Sequence, residues 1–192
     1  MKRVADDGYF LAAGMHYLSF LEALHLNLSP EWYLEIGTQT GASLKLSRAK
    51  TISVDPAYRP RHEVIGNKHE FYAFQESSDA FFEARRPEKI GAKIDLAFLD
   101  GIHLFECLLR DFISTEKCAR PNGVILLRDC LPWNGQMARR KSGGGSTPTW
   151  TGDVWKIVPV LQKYRPDLQL EIVDAVPTGL VIVSNLDPEN RS

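Results

Sequence analysis

Residues 33–43 read Tyr-Leu-Glu-Ile-Gly-Thr-Gln-Thr-Gly-Ala-Ser: an apolar run carrying one carboxylate, Glu35, then two glycines separated by three residues. A glycine-rich turn between a strand and a helix is a place where nucleotide-like groups bind. Outward from it, short β-branched or aromatic runs recur at 51–56, 70–74, 94–100 and 123–129. The segments between them are long enough for helices. The clearest covers 103–119, where Leu104, Leu108 and Phe112 form a stripe, Glu106 and Arg110 can pair at i,i+4, and Pro121-Asn122-Gly123 ends the run. Apolar strands alternating with helices predict a parallel sheet covered on both faces.

The two ends depart from this rhythm. Apolar residues at helical spacing predict an amphipathic helix over 9–26. At the C-terminus, strands at 168–175 and 179–185 are joined by only residues 176–178, too short a link for a crossover helix, so they are expected as antiparallel neighbours. Pro159 falls inside an expected helix starting near residue 152, so either that helix kinks or two short ones meet. The stretch 134–151, with three consecutive glycines and the basic triplet Arg139-Arg140-Lys141, reads as a mobile loop. The expected layout is one domain over 1–192, with an N-terminal helical segment at 1–29, a core at 30–185 and a lid-like loop at 134–151.

Composition narrows the function classes. A formal net charge of -1 offers no global argument for a nucleic-acid or membrane partner. No apolar run approaches the roughly 18–20 residues that span a bilayer, and the acidic pair Asp6-Asp7 interrupts any export signal. Cys107, Cys118 and Cys130 lack zinc-finger spacing and read as reduced thiols of a cytoplasmic protein. Oligomeric state is not encoded legibly.

The chemistry lies at the strand ends. Ligands of such sheets sit beyond the carboxyl ends of the strands. Those ends display Glu35, Gly37 and Gly41; then Asp55; then Gln75 to Ser78; then Asp100 and His103; then Asp129. Asp55 lies 20 residues after Glu35, the spacing at which an acidic group accepts hydrogen bonds from two ribose hydroxyls. That feature suits NAD and S-adenosylmethionine alike, but Glu-x-Gly-x-x-x-Gly is not the turn that admits a pyrophosphate. Glu35 would repel a pyrophosphate and suit a ligand carrying an ammonium and a sulfonium. His103, three residues beyond Asp100, is placed to take a proton from an acceptor hydroxyl. Asp100 and Asp129 could converge on Mg²⁺.

These motifs, YLEIGTQTG, ISVDP, IDLAFLDGIH and PNGVILLRD in that order, resemble the class I S-adenosylmethionine-dependent methyltransferases. DGIHLFECLLRDF and TGDVWK are similar to a bacterial small-molecule, O-methyltransferase-like branch. The resemblance implies a Rossmann-like α/β fold with a mostly parallel seven-stranded sheet and a C-terminal antiparallel hairpin. It implies that Gly37, Thr38 and Gly41 wrap the methionine moiety, with Glu35 ordering the turn or holding the amino group. Asp55 would hold the ribose, Gln75 to Ser78 (Glu76, Ser77 and Ser78 among them) would edge the adenine, and Asp100 would lie beside the methyl. Catechol-type relatives place an ion at the matching strand ends, but Cys130 stands here where an Asn is expected. The expected activity is methyl transfer to an oxygen, less readily a nitrogen, of a small molecule. A non-catalytic S-adenosylmethionine-binding protein and a nicotinamide-dependent oxidoreductase are the competing readings. Trp133 and Trp150 could wall a substrate pocket, and Asp153 reads as a helix-start residue after the cap Thr151.

Overall fold

Runs rich in Val, Ile, Leu and aromatic residues are stable as strands only when both faces are covered, and the central strands here are covered on both. The computed structural model describes residues 3–4, 8–142 and 150–190. A short ribbon (β1, Arg3–Val4; β2, Phe10–Leu11) precedes helix α1 (Tyr17–Leu28). Then follow β3 (Trp32–Ile36), β4 (Lys50–Val54), β5 (Phe71–Phe74), α2 (Ser78–Glu83), α3 (Arg86–Ile90), β6 (Ile94–Leu99), α4 (Phe105–Cys118), β7 (Ala119–Arg128), α5 (Ile157–Tyr164), β8 (Gln169–Val173) and β9 (Leu180–Ser184). Short 3-10 turns lie at Leu44–Leu46 and Val154–Lys156.

The seven-stranded sheet has the order β5-β4-β3-β6-β7-β9-β8, with β3 to β7 parallel and β9 antiparallel to both neighbours. The hairpin expected from the short C-terminal link is therefore present. Side chains alternate across the sheet at period two. Leu34, Ile36, Ala97, Leu99, Ile125 and Leu127 pack in one cluster with Phe81, Leu108, Phe112, Ile157 and Leu161 of the helices. Tyr33, Leu96, Phe98 and Leu126 face the other way, against Leu21 of α1 and Leu44. Tyr33 and Glu35, two apart, thus share the α1 face.

Several boundaries differ from the sequence reading. The N-terminal helix starts at Tyr17, not near residue 9, because the preceding residues run extended and dock on the hairpin. The Ala13 N–H donates to Asp174 Oδ1 (2.7 Å), and the Tyr17 N–H to the Val176 carbonyl (3.0 Å). His16 caps the helix, its Nδ1 accepting from the Leu18 N–H (3.3 Å). Pro159 is accommodated because a 3-10 turn precedes it, putting it at the third position of α5, where no helical partner awaits its missing N–H. Glu106 and Arg110 do not pair; Arg110 binds Asp79 (2.8 Å) and Glu106 binds Arg140. Of the loop at 134–151, residues 143–149 lie outside the described residues. Cys107, Cys118 and Cys130 are free thiols. Among the described residues no helix is long and apolar enough to cross a membrane.

One buried ion pair ties the C-terminal half together. Arg165 donates to both Glu116 oxygens (2.6 and 2.9 Å), and the Asp187 N–H also reaches Glu116 (3.0 Å). Removing one partner leaves a buried charge poorly compensated, although Asp167 still contacts Arg165 (2.7 Å). Glu116→Ala is therefore expected to cost about 3 kcal/mol in urea unfolding. A loss under about 1 kcal/mol would mean the pair behaves like an exposed one.

Candidate functional site

The strand order reverses direction between β3 and β6, and such a switch opens a crevice beyond their carboxyl ends. A cleft of about 600 Å³ lies there. It is lined by Gly37 after β3, Asp55 after β4, Ser77 and Ser78 after β5, Asp100 and His103 after β6, and Asp129 after β7. A second hollow, of about 500 Å³, sits against α1 near His25 and Arg48, but only the first gathers the strand-end carboxylates.

The turn after β3 has the conformation its glycines allow. Gly37 (φ +88°) and Gly41 (φ +79°) are left-handed, and a Cβ on Gly37 would overlap the Asp100 carbonyl. The Gly37 N–H donates to the Val54 carbonyl (2.9 Å). Glu35 is fully buried, accepting from the Tyr33 hydroxyl (2.6 Å) and the Ser43 hydroxyl (2.9 Å). Burial outweighs these hydrogen bonds and, with the Asp100 charge, pushes its pKa up to about 7. Glu35 lies behind the turn and does not line the cleft. Thr38, Gly41 and Glu76 do not line it either. The Thr38 and Ser53 hydroxyls meet at 2.7 Å, and Glu76 accepts from Arg86 Nε (3.2 Å).

Asp55 is buried and held by two backbone donors, the Gln39 N–H to Oδ2 (2.6 Å) and the Ala57 N–H to Oδ1 (2.7 Å). Each oxygen keeps acceptor capacity toward the cleft. Ser77 caps α2, accepting from the Ala80 N–H (3.2 Å), while also lining the cleft. Beside it lies Asp111 of α4, which the sequence reading missed. Burial, reinforced by the charge of Asp79 and opposed by a hydrogen bond from Ser78, pushes its pKa up to about 6. Its signal was a carboxylate beside Phe112 in the inward-facing part of an amphipathic helix.

At the other end Asp100, His103 and Asp129 converge, each offering a ligand-capable atom within 4.8 Å of the others. His103 Nδ1 lies 2.7 Å from the Trp150 carbonyl, which can only accept, so Nδ1 carries a proton. Nε2 then faces Asp129 Oδ2 (3.2 Å) and Asp100 Oδ1 (3.6 Å). Burial alone would lower the imidazole pKa, but the hydrogen bond to Asp100 and the two carboxylate charges outweigh it and raise the value. Asp129 has positive φ (64°) and accepts from the Thr178 hydroxyl. Burial and the Asp100 charge raise its pKa.

Arg128, also missed from the sequence, donates from Nη1 to Asp100 Oδ2 and lies 4.0 Å over the Tyr17 ring. Trp150 lines the cleft and stands 5.4 Å from the His103 ring. Trp133 does not line it; its indole N–H donates to the Pro177 carbonyl. Asp153 caps α4 rather than its own helix, accepting from the Phe105 N–H (2.9 Å).

The Glu35 carboxyl carries a sign that can be checked. Its folded pKa is raised above its ordinary value, so the folded state holds the proton more tightly, and stability falls as pH rises from about 4.5 toward 7. Relative to Glu35→Gln, the wild type is expected to lose up to roughly 3 kcal/mol across that window. Urea unfolding at several pH values measures the difference; a difference independent of pH would contradict the assignment.

No protein-family model and no curated protein matches this chain. Solved structures do. A cofactor-bound protein from MTB superposes with a TM-score of 0.68 at 18% identity, over 93% of this chain and 83% of that one. The O-methyltransferase TomG from Streptomyces achromogenes, involved in tomaymycin synthesis and solved with SAM, gives 0.64 at 16% identity, over 91% and 81%. An O-methyltransferase from Bacillus cereus, in complex with SAH, gives 0.59 at 15% identity, over 87% and 79%. The chain shares the Rossmann-like fold of the SAM-bound and SAH-bound O-methyltransferases among these, with the closing hairpin expected from its sequence.

Proposed function

We propose that this chain transfers the methyl group of S-adenosylmethionine to an oxygen of a small-molecule acceptor. The observation that carries the reading is the cleft at the switch point, which runs from Asp55 past Gly37 to Asp100, His103 and Asp129. The residues present fit S-adenosylmethionine. Gly37, where a Cβ would strike the Asp100 carbonyl, lets the turn after β3 pass close to the end of β6 at the cleft, and Asp55 is oriented by two amides to accept ribose hydroxyls. Ser77, Ser78 and Asp111 form a polar edge suited to the adenine. Five aspartates (55, 79, 100, 111 and 129) line the cleft against two arginines and one histidine. That balance favours a sulfonium-bearing ligand and works against the pyrophosphate of a nicotinamide cofactor. The fold likeness to SAM- and SAH-bound O-methyltransferases supports the same choice.

S-adenosylmethionine, when bound, supplies an electrophilic methyl carbon, so the chain's task is mainly positioning and proton management. With Nδ1–H held by the Trp150 carbonyl, Nε2 of His103 is the atom that exchanges a proton. A lone pair there would face two carboxylate oxygens, so the site favours a proton on Nε2, held against Asp129. Proton removal from an acceptor hydroxyl then needs His103 in its deprotonated form, which appears only above its raised pKa.

Turnover is accordingly expected to rise with pH to a half-point above the ordinary histidine value of 6.5. His103→Ala should lower turnover about 10²–10⁴-fold while leaving S-adenosylhomocysteine affinity within a factor of about 3. Asp55→Ala should weaken that affinity about tenfold or more. Calorimetric titration with S-adenosylhomocysteine, and separately with NAD, checks both variants. Binding of NAD alone would remove the reading, and equal losses of affinity and turnover in His103→Ala would remove the base role.

A further inference from the structure

Asp100 and Asp129 close neighbouring parallel strands, where the sequence expects two hard oxygens to meet on Mg²⁺. The structure puts a cation of the protein's own there. Arg128, the last residue of β7, donates from Nη1 to Asp100 Oδ2, and its Nε stands 3.8 Å from Asp129 Oδ1. On the other side His103 Nε2 spans Asp129 Oδ2 and Asp100 Oδ1. The remaining neighbour of Asp129 Oδ1 is the Thr178 hydroxyl. We infer that Arg128 occupies the place of a divalent ion, so that its guanidinium, with His103, balances Asp100 and Asp129 and the site functions without bound metal.

Three observations support this. First, a divalent ion here would sit beside a guanidinium that cannot discharge itself by losing a proton. Second, Arg128 is not free to swing away: it is three-quarters or more enclosed, and its guanidinium is stacked at 4.0 Å on Tyr17, the first residue of α1. Third, the position expected to supply an amide ligand is Cys130, whose buried thiol turns to the carbonyls of Arg128 (3.5 Å) and Leu127 (3.9 Å). A buried thiol is a soft group, unsuited to a hard cation. Mg²⁺ demands near-octahedral oxygen coordination, and one oxygen of each carboxylate already accepts a hydrogen bond, Asp100 Oδ2 from Arg128 and Asp129 Oδ1 from Thr178.

One feature points the other way. Asp100, His103 and Asp129 could together ligate a softer ion, with Nδ1–H of His103 oriented by a carbonyl as in many metal-bound histidines. The adjacent guanidinium decides against it, because like charges within about 4 Å repel by several kcal/mol at a partly buried site.

The bearing on methyl transfer rests on the function proposed above, but the test does not, because it reads metal binding directly. Free Mn²⁺ is followed by electron paramagnetic resonance while purified protein is added, with Zn²⁺ as competitor. Wild type and Arg128→Lys, which keep the cation, should leave the free Mn²⁺ signal undiminished. Arg128→Met and Arg128→Gln, which keep the side-chain stem beside Tyr17, should bind Mn²⁺ roughly tenfold or more tightly than wild type. Adding Asp100→Asn to either should abolish that gain. Thermal melts confirm which variants are folded, and one folded neutral variant suffices. Wild-type binding equal to that of the neutral variants would overturn the inference. So would a folded neutral variant that gains no affinity.

Discussion

The site depends on a missing side chain. Gly37 ends β3 so close to the Asp100 carbonyl at the end of β6 that no Cβ fits between them. This contact falls where the strand order reverses, so it sets the width of the crevice and the spacing of the groups around it. The left-handed turn that follows is held from below by Glu35, whose carboxyl is buried between Tyr33 and Ser43. A buried carboxyl is costly unless hydrogen-bonded. Here that cost is tied to keeping one loop in one conformation.

Much of this was legible in the sequence, and the reason is physical. Parallel strands buried on both faces read as continuous apolar runs, so their ends are sharp, and polar residues there stand out. Asp55, Asp100, His103 and Asp129 were found in that way, and all four line the cleft. The closing hairpin followed from a link too short for a helix. Glu35 also stood out, but a strand-end pattern does not say whether a carboxylate points into the crevice or beneath the turn. Its shared face with Tyr33 decides that.

What the sequence hid depends on contacts between distant residues. Arg128 looks like an ordinary polar residue closing a strand until Tyr17, more than a hundred positions away, is seen beneath its guanidinium. Asp111 hides within the pattern of an amphipathic helix. Trp133 and Trp150 were equivalent candidates, yet one indole anchors the hairpin while the other stands beside His103. Asp153 has the sequence context of a helix start but caps α4 instead, through a bond spanning 48 positions. The helix start near residue 9 was overruled by tertiary pairing of the extended segment with the hairpin, a contest that local periodicity does not register.

The central claim is that the crevice beside Gly37 holds S-adenosylmethionine in one defined direction. The most direct test is a crystal structure with S-adenosylhomocysteine. The account predicts density with the ribose hydroxyls on Asp55, the adenine toward Ser77, Ser78 and Asp111, and the sulfur toward Asp100 and His103. Ligand bound in the hollow near His25 and Arg48, or in the crevice in the reverse direction, would contradict it.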